Sequence, residues 1–168
     1  MNKLIFLDID GVCNSTNDHK AIFKLTGKPT FMGPPKLQPG EQFTRENLNW
    51  SKRKTEWIHG ICSQTGCDIV ISSTWRETFP FAHQYIAMFQ AYGWPAPVIN
   101  TTPITGGTRG DDIEAFINQS GFDGNYVIID DGSDFTAKQK ENLVQTDRNV
   151  GLTVDDARRA VDILNWEE

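Results

Sequence analysis

Short apolar runs that each end in polar residues recur along this chain, and they constrain its fold more than any other feature. Four such runs span residues 4–7, 68–71, 97–99 and 126–129. Runs of this length are typical of parallel strands that are buried on both faces. Stretches with helical spacing lie between or after them, at 48–61, 79–92, 111–117 and 154–164. Alternating strands and helices predict an α/β fold, with a central parallel sheet covered by helices on both faces.

Residues 14–46 interrupt this alternation, because they are rich in basic residues and show only weak periodicity. Glycine and proline punctuate it at Gly27, Pro29, Gly33, Pro34, Pro35, Pro39 and Gly40. We interpret the segment as an insertion rather than a core element. Because a chain of 168 residues fits one compact core, residues 1–168 are predicted to form a single domain that carries this insertion.

The composition favours an ordinary soluble protein. It is 38% hydrophobic and 23% charged, which argues against a disordered chain, and no stretch reaches the roughly 20 apolar residues of a membrane span. We expect a cytoplasmic protein with no membrane partner, and no obligate protein partner is evident. The cysteines, Cys13, Cys62 and Cys67, are too few for a disulfide framework and are interpreted as reduced thiols.

Charge is unevenly distributed along the chain. The net charge of −6 argues against a protein that coats nucleic acid. Residues 19–55, called the basic segment below, nevertheless carry a net charge of +6, which leaves −12 on the rest of the chain. A lysine-rich surface usually only solvates a protein, but it also attracts polyanions. The sequence leaves both interpretations of this segment open.

Polar residues follow three of the predicted strands, at the point where ligands bind in open parallel sheets. The first run is followed by Asp8-Ile9-Asp10-Gly11-Val12, the second by Ser72-Ser73-Thr74-Trp75-Arg76, and the fourth by Asp130-Asp131-Gly132-Ser133-Asp134. Arg109-Gly110 opens the helix that precedes the fourth strand. These residues are the candidates for a functional site.

Asp8 and Asp10 lie two positions apart, so their side chains project similarly, and Gly11 lets the backbone turn closely around a ligand. Such a pair can divide the labour of phosphate transfer. One carboxylate attacks phosphorus, and the other gives and takes the proton of the leaving group and of water. The same residues also suit a solvated turn.

A second acidic pair favours the functional interpretation. Asp130 and Asp131 alone would suit a turn or a helix cap, but carboxylates placed opposite Asp8 and Asp10 would repel unless a cation joined them. Hard oxygen ligands select magnesium. Ser72 and Arg109 add a hydroxyl and a fixed positive charge for phosphate, although either type of residue alone is commonly a cap or a solvated side chain.

These four pieces, in this order, resemble the motifs of the haloacid dehalogenase (HAD) superfamily: an Asp-x-Asp-Gly loop, a serine or threonine, a lysine or arginine, and an acidic pair. Further matches lie at Thr101-Thr102-Pro103, Arg109-Gly110-Asp111-Asp112-Ile113 and Gly151-Leu152-Thr153. With them the chain looks similar to the HAD domain of Swiss Army knife RNA repair proteins. The resemblance covers nearly the whole chain except residues 14–46.

The resemblance implies a role for each catalytic candidate. It makes Asp8 the nucleophile and a magnesium ligand. It makes Asp10 the general acid and base, with a backbone carbonyl on the metal. Ser72 holds the transferring phosphoryl group, and Arg109 takes the place of the usual lysine.

The resemblance also implies the remaining ligands. Asp131 is given the direct contact with Mg²⁺, with Asp130 and Asp134 as supporting members, although the choice among these three stays open. The predicted substrate contacts are Gly11, Ser73, Thr74 and Arg76.

Fold and function follow as expectations from the same family. The fold would be a Rossmann-like three-layer sandwich with five or more parallel strands, in which residues 14–46 form a partial cap. The function would be that of a magnesium-dependent phosphomonoesterase that forms an aspartyl phosphate and acts on nucleic-acid ends or nucleotides. The alternatives are a small-metabolite phosphatase and a non-catalytic phosphate-binding regulatory domain. A phosphoacceptor receiver domain fits poorly, because it gives Asp10 no role.

Overall fold

All four predicted strands form, and a fifth joins them. In the computed structural model, which describes residues 3–167, the strands are β1 (Lys3–Leu7), β2 (Asp68–Ile71), β3 (Val98–Thr101), β4 (Asn125–Asp130) and β5 (Leu143–Gln145). Every pairing is parallel, and the strand order is β3-β2-β1-β4-β5. The strand that leads into Asp8 is therefore the central one.

Alternate residues of β1 explain why helices cover both faces of the sheet. Ile5 and Leu7 belong to one buried cluster, whereas Leu4 and Phe6 belong to another. Side chains alternate across a strand, so an unbroken apolar run requires cover on both sides. The predicted three-layer α/β fold is confirmed.

Helices fill the outer layers. They are α1 (Thr16–Thr26), α2 (Arg45–Leu48), α3 (Lys52–Thr65), α4 (Ala82–Ala91), α5 (Arg109–Ser120), α6 (Ala137–Glu141) and α7 (Val154–Leu164), with a short 3₁₀ helix at Thr74–Glu77. Side chains of α3, α4 and α7 pack in the cluster of Ile5, and those of α5 pack in the cluster of Leu4. Within residues 3–167, no helix is long and apolar enough to cross a membrane.

Two helices begin later in the structure than the sequence pattern predicted. The prediction at 48–61 is wrong as one helix, because Asn49 adopts a left-handed conformation (φ 57°) that ends α2, and Ser51 then caps α3. The prediction at 79–92 begins too early. Pro80 disfavours a helical conformation at Phe79, and α4 starts only after Phe81.

Residues 14–46, the segment predicted to be an insertion, contain a helix that their weak periodicity did not reveal. Ser15 caps α1 by accepting a hydrogen bond from the Asp18 N–H, and Gly27 ends it in a left-handed conformation (φ 68°). Most side chains of α1 are exposed. Because the helix buries little apolar surface, no strong helical stripe marks it in the sequence.

Candidate active site

Three carboxylates meet at the carboxyl edge of the sheet. Asp8 follows β1, and Asp130 and Asp131 lie at the end of β4, with one oxygen of each within 4.8 Å of the others. The register explains this proximity, because Leu7 pairs with Ile129 in the neighbouring strand. The two acidic motifs predicted from the sequence therefore come together.

Such closely spaced negative charges require compensation. Burial, together with the charge of Asp130, raises the pKa of Asp8 to about 8, even though Arg109 opposes the shift. Burial also raises the pKa of Asp130. A divalent cation would supply the missing positive charge, and carboxylate oxygens are the donors that Mg²⁺ prefers. The residues present fit a magnesium ion.

Arg109 bridges two of these carboxylates from the first turn of α5. Its Nη1 lies 3.1 Å from Asp8 Oδ1 and 2.8 Å from Asp130 Oδ2. The start of α5 is fixed by a capping box, in which Thr108 and Asp111 each bond to the other's backbone N–H. The capped helix thus delivers a permanent positive charge to the acidic cluster.

Asp10 is held by donors from three parts of the chain. Its Oδ1 accepts from the side-chain amide of Asn14 at 2.9 Å and from the backbone N–H of Gly33 at 3.1 Å. Its Oδ2 accepts from the indole N–H of Trp75 at 2.9 Å. Since Gly33 belongs to residues 14–46, the segment predicted to be an insertion reaches the second carboxylate of the Asp-x-Asp pair.

Gly11 makes a close approach that a larger residue would block. Its φ is +80°, and a Cβ at this position would overlap the carboxylate of Asp131. Both the left-handed conformation and the lack of space favour glycine. The turn after Asp10 is therefore fitted closely to the acidic residues of β4.

Ser72 offers a hydroxyl at the end of β2. The residue is buried, and its backbone N–H donates to the Leu7 carbonyl at 2.9 Å. Among residues 3–167, its Oγ has no hydrogen-bond partner. Because buried hydroxyls are normally paired, this one is available to a ligand such as phosphate.

The order and placement of these groups agree with one family. The sequence profile of the family described as "HAD domain in Swiss Army Knife RNA repair proteins" matches residues 4–157. The chain belongs to this HAD family. No curated protein and no solved structure matches the chain. The predicted HAD-like domain is confirmed, and membership supports a phosphatase-type hydrolase that acts on a phosphorylated substrate.

Three further residues predicted to contact substrate in this HAD domain have clear local roles. The backbone N–H of Gly11 donates to Asn14 Oδ1 at 3.0 Å. Ser73 Oγ accepts from the Trp75 N–H at 3.2 Å and so caps the 3₁₀ helix, whereas Thr74 is exposed. Their contacts with substrate stay predictions.

Arg76, the fourth residue predicted to contact substrate, is bonded to other residues of the HAD domain. Its guanidinium donates to the backbone carbonyls of Ser72, Ser73 and Thr102. It also forms a buried ion pair with Asp112 on α5. This pair ties the loop that carries Ser72 to the helix that carries Arg109. A substrate contact by Arg76 stays a prediction and would compete with these bonds.

Besides Trp75, which lies in a predicted motif but was given no role, sequence reasoning missed two side chains that contact the acidic residues. Arg148 Nη1 lies 3.0 Å from Asp131 Oδ2, and Asn14 binds Asp10. Arg148 follows β5, which the apolar pattern did not reveal, and Asn14 was assigned to the insertion. A search for polar residues one helical turn after Asp10 would have found Asn14. The predicted supporting residue Asp134 is exposed and lies outside the cluster of three carboxylates.

A surface cavity lies elsewhere, at the opposite end of β4. It measures about 960 Å³ and is lined by Asn125 and Tyr126, at the start of β4, and by Trp166. Asp130 ends the same strand, about 16 Å away at the usual rise per residue. The candidate active site is assigned to the carboxyl edge because the carboxylates, Arg109 and Ser72 converge there, and not to this cavity.

Proposed function

We propose that this HAD domain is a magnesium-dependent phosphomonoesterase that works through an aspartyl phosphate on Asp8. The observation that carries the proposal is the cluster of Asp8, Asp130 and Asp131 with Arg109 beside it. Asp8, Asp131 and the backbone carbonyl of Asp10 would hold Mg²⁺, with Asp130 in support. The ion would neutralise charge on the nucleophile and on the phosphate.

In the first half-reaction, Asp8 attacks phosphorus and the bond from phosphorus to the leaving oxygen breaks. Asp8 Oδ1 accepts from the Ile9 N–H at 2.9 Å and contacts Arg109, which leaves Oδ2 as the freer oxygen for attack. Asp10 gives its proton to the leaving oxygen. Ser72 and Arg109 hold the transferring phosphoryl oxygens.

In the second half-reaction, water attacks the phosphorus of the aspartyl phosphate. Asp10, now ionised, takes a proton from this water, and the bond between phosphorus and the Asp8 oxygen breaks. Inorganic phosphate leaves, the carboxylate of Asp8 is restored, and Asp10 is again protonated. One carboxylate therefore serves as acid and then as base.

The direct test is magnesium-dependent release of phosphate from a panel of nucleotides, phosphorylated oligonucleotides, sugar phosphates and phosphopeptides. The proposal expects release that stops when a chelator removes Mg²⁺. Preference for nucleotides or oligonucleotides supports the proposed substrate class, and preference for sugar phosphates supports a small-metabolite phosphatase. No release from any member of the panel would contradict the enzymatic function.

Magnesium binding is expected to stabilise the fold through Asp131. At about 100 times the dissociation constant, a ligand that binds only the folded state adds roughly 2.7 kcal/mol, or about 5–10 °C in Tm for a chain of this size. Asp131→Asn should lose most of this shift. Asp134→Asn is the matched control, because Asp134 lies outside the cluster. Thermal unfolding with and without Mg²⁺ measures both, and equal shifts in the two variants would contradict the assignment of Asp131.

Nucleic-acid ends or nucleotides are the substrate class that we infer. Family membership and the basic segment support this inference. Among the eight basic residues between 19 and 55, seven are exposed: Lys20, Lys24, Lys28, Lys36, Arg45, Lys52 and Arg53. The segment reaches the site at Gly33, whose backbone N–H bonds to Asp10. A polyanionic substrate would therefore meet positive charge as it approaches the acidic cluster.

Lys54 is the exception within the basic segment. It is buried, its Nζ forms an ion pair with Asp18, and it lies 3.5 Å from Ser15 Oγ. Lys54 thus ties α3 to the start of α1. Its replacement would leave Asp18 without this partner and disturb the segment, so it is unsuitable for a test of surface charge.

Replacement of Lys20, Lys24 and Lys28 by glutamine is expected to weaken the action on a phosphorylated single-stranded oligonucleotide. If each lysine contacts one phosphate, the slope of log(kcat/KM) against log salt becomes shallower by about 2. Hydrolysis of p-nitrophenyl phosphate should barely change. The measurement compares kcat/KM for both substrates at about 50 and 200 mM salt, where counterion release is prominent.

The matched control removes the same charge from α6 and α7. Lys138, Lys140 and Arg159 are exposed, and two of them, Lys138 and Arg159, line the distant cavity. Their replacement by glutamine should leave the salt slope nearly unchanged. If both triple variants behave alike, the basic segment is only a solvated surface.

A further inference from the structure

The indole N–H of Trp75 makes a contact that the proposed mechanism does not use. Trp75 lies in the 3₁₀ helix after β2 and its side chain is fully buried, with 0% exposure. Its Nε1 lies 2.9 Å from Asp10 Oδ2. A buried tryptophan usually finds a partner for its N–H, and here that partner is the candidate general acid and base.

The ring of Trp75 is a rigid donor. It packs against Trp50 with a distance of 5.6 Å between ring centroids. The backbone is also fixed, because the Trp75 carbonyl accepts from the N–H groups of Thr78 at 3.0 Å and Phe79 at 2.8 Å. A donor held in this way restricts rotation of the carboxylate to which it is bonded.

The three donors leave Asp10 little freedom. A carboxylate has about four acceptor positions. Asn14 and Gly33 fill two positions on Oδ1, and Trp75 fills one on Oδ2. Oδ2 therefore keeps the position through which a proton can pass, and the indole of Trp75 determines where that position points.

We propose that Trp75 is a positioning residue for Asp10. Its N–H fixes the direction in which Asp10 exchanges a proton with the leaving oxygen and with water. This role rests on the proposed phosphatase function, because it requires Asp10 to act as acid and base. The contact does not involve Ser72, so the role is separate from binding of the phosphoryl group.

The test compares Trp75→Phe with Trp50→Phe. Trp50 is a matched control because it is buried in the same cluster and touches the ring of Trp75. Among the described residues, its indole N–H has no hydrogen-bond partner. Both substitutions thus remove an indole from the same core, but only one removes a donor to Asp10.

The readout uses two aryl phosphates of similar shape. The leaving group of phenyl phosphate needs a proton, whereas that of p-nitrophenyl phosphate needs little help. Because general acid catalysis contributes about 10²–10⁴, misorientation of Asp10 in Trp75→Phe should lower kcat/KM for phenyl phosphate by at least about tenfold. The value for p-nitrophenyl phosphate should fall much less, and inhibition by inorganic phosphate should be unchanged. Trp50→Phe should leave the ratio of the two kcat/KM values as in the wild type.

Two results would overturn the role. Equal losses on both substrates with weaker phosphate inhibition would mean that Trp75 supports the Ser72 loop. A substrate ratio equal to that of Trp50→Phe would mean that Trp75 only fills the core. If thermal unfolding shows that Trp75→Phe does not fold, the same comparison uses benzothienylalanine at position 75, which keeps the ring shape but replaces the N–H by sulfur. If the wild-type protein is inactive on both substrates, the proposed function and this role are both wrong. If the wild type is active and the substrate ratio is unchanged in the Trp75 variant, only the role of Trp75 is wrong.

Discussion

Replacement of Asp8 by asparagine is expected to abolish phosphate release, with a loss of at least about a thousandfold, as for removal of other catalytic groups. An amide cannot serve as the attacking oxyanion, and it brings no charge to the metal. The measurement is magnesium-dependent phosphate release under single-turnover and steady-state conditions. Near-normal release by a folded Asp8→Asn protein would refute the assignment of the nucleophile.

The free energy of unfolding of Asp8→Asn is the control for folding, and the direction of its change can be predicted. In the unfolded chain an aspartate loses its proton near pH 3.9, but burial and Asp130 raise the pKa of Asp8 to about 8 in the folded protein. Between these values the folded state binds more protons than the unfolded state, so the free energy of unfolding decreases as pH rises. Asparagine carries no charge at any of these pH values, so the variant avoids the cost of burying an ionised carboxylate. In metal-free buffer, Asp8→Asn should therefore be more stable than the wild type, on the order of 1–3 kcal/mol at pH 8 and much less near pH 4.

Thermal unfolding at both pH values, with a chelator present, measures this difference. A variant that is inactive and more stable has lost chemistry rather than fold. A variant that is inactive and less stable at pH 8 would indicate that the ion pair of Asp8 with Arg109 outweighs the cost of burying the carboxylate.

The sequence predicted the sheet because its central strands are buried on both faces. In β1, apolar side chains point to both faces: Leu4 and Phe6 to one, Ile5 and Leu7 to the other. Each face must therefore be covered by a layer of helices. β5 could not be predicted, because three residues with two apolar side chains are too short to form a pattern. The break between α2 and α3 depends on the conformation of Asn49, which has no strong signal in the sequence.

The candidate site was predictable where its residues follow strands. Asp8, Asp130 and Ser72 project from the edge that parallel strands share, so their convergence follows from topology. Two contacts made by parts of the chain outside that edge were not predictable. Gly33 donates through its backbone, and no side-chain pattern reports such a bond. Arg148 lies on a turn after the missed strand, and its position depends on that strand.

Replacement of Asp10 by asparagine is expected to slow both half-reactions, because the variant keeps the nucleophile but lacks the group that protonates the leaving oxygen and activates water. The loss for phenyl phosphate should be on the order of 10²–10⁴, the usual contribution of a general acid or base. With p-nitrophenyl phosphate the first half-reaction should suffer less, so phosphorylated Asp8 should accumulate. Rapid acid quenching followed by detection of protein-bound phosphate measures this intermediate. Equal slowing with both substrates would count against Asp10 as the acid.

The same substitution is expected to destabilise the protein, in contrast to Asp8→Asn. All three partners of the Asp10 carboxylate are donors: Asn14 and Gly33 on Oδ1, and Trp75 on Oδ2. An asparagine at this position has only one acceptor oxygen, so its amide N–H₂ must face at least one of these donors. If the oxygen takes the place of Oδ1, the buried indole N–H of Trp75 loses its partner, at a cost of about 1–3 kcal/mol. Thermal unfolding in metal-free buffer should therefore place the wild type between a more stable Asp8→Asn and a less stable Asp10→Asn at pH 8. If Asp10→Asn is as stable as the wild type, Trp75 does not depend on Asp10 for its hydrogen bond, and the arrangement of donors described for this carboxylate is wrong.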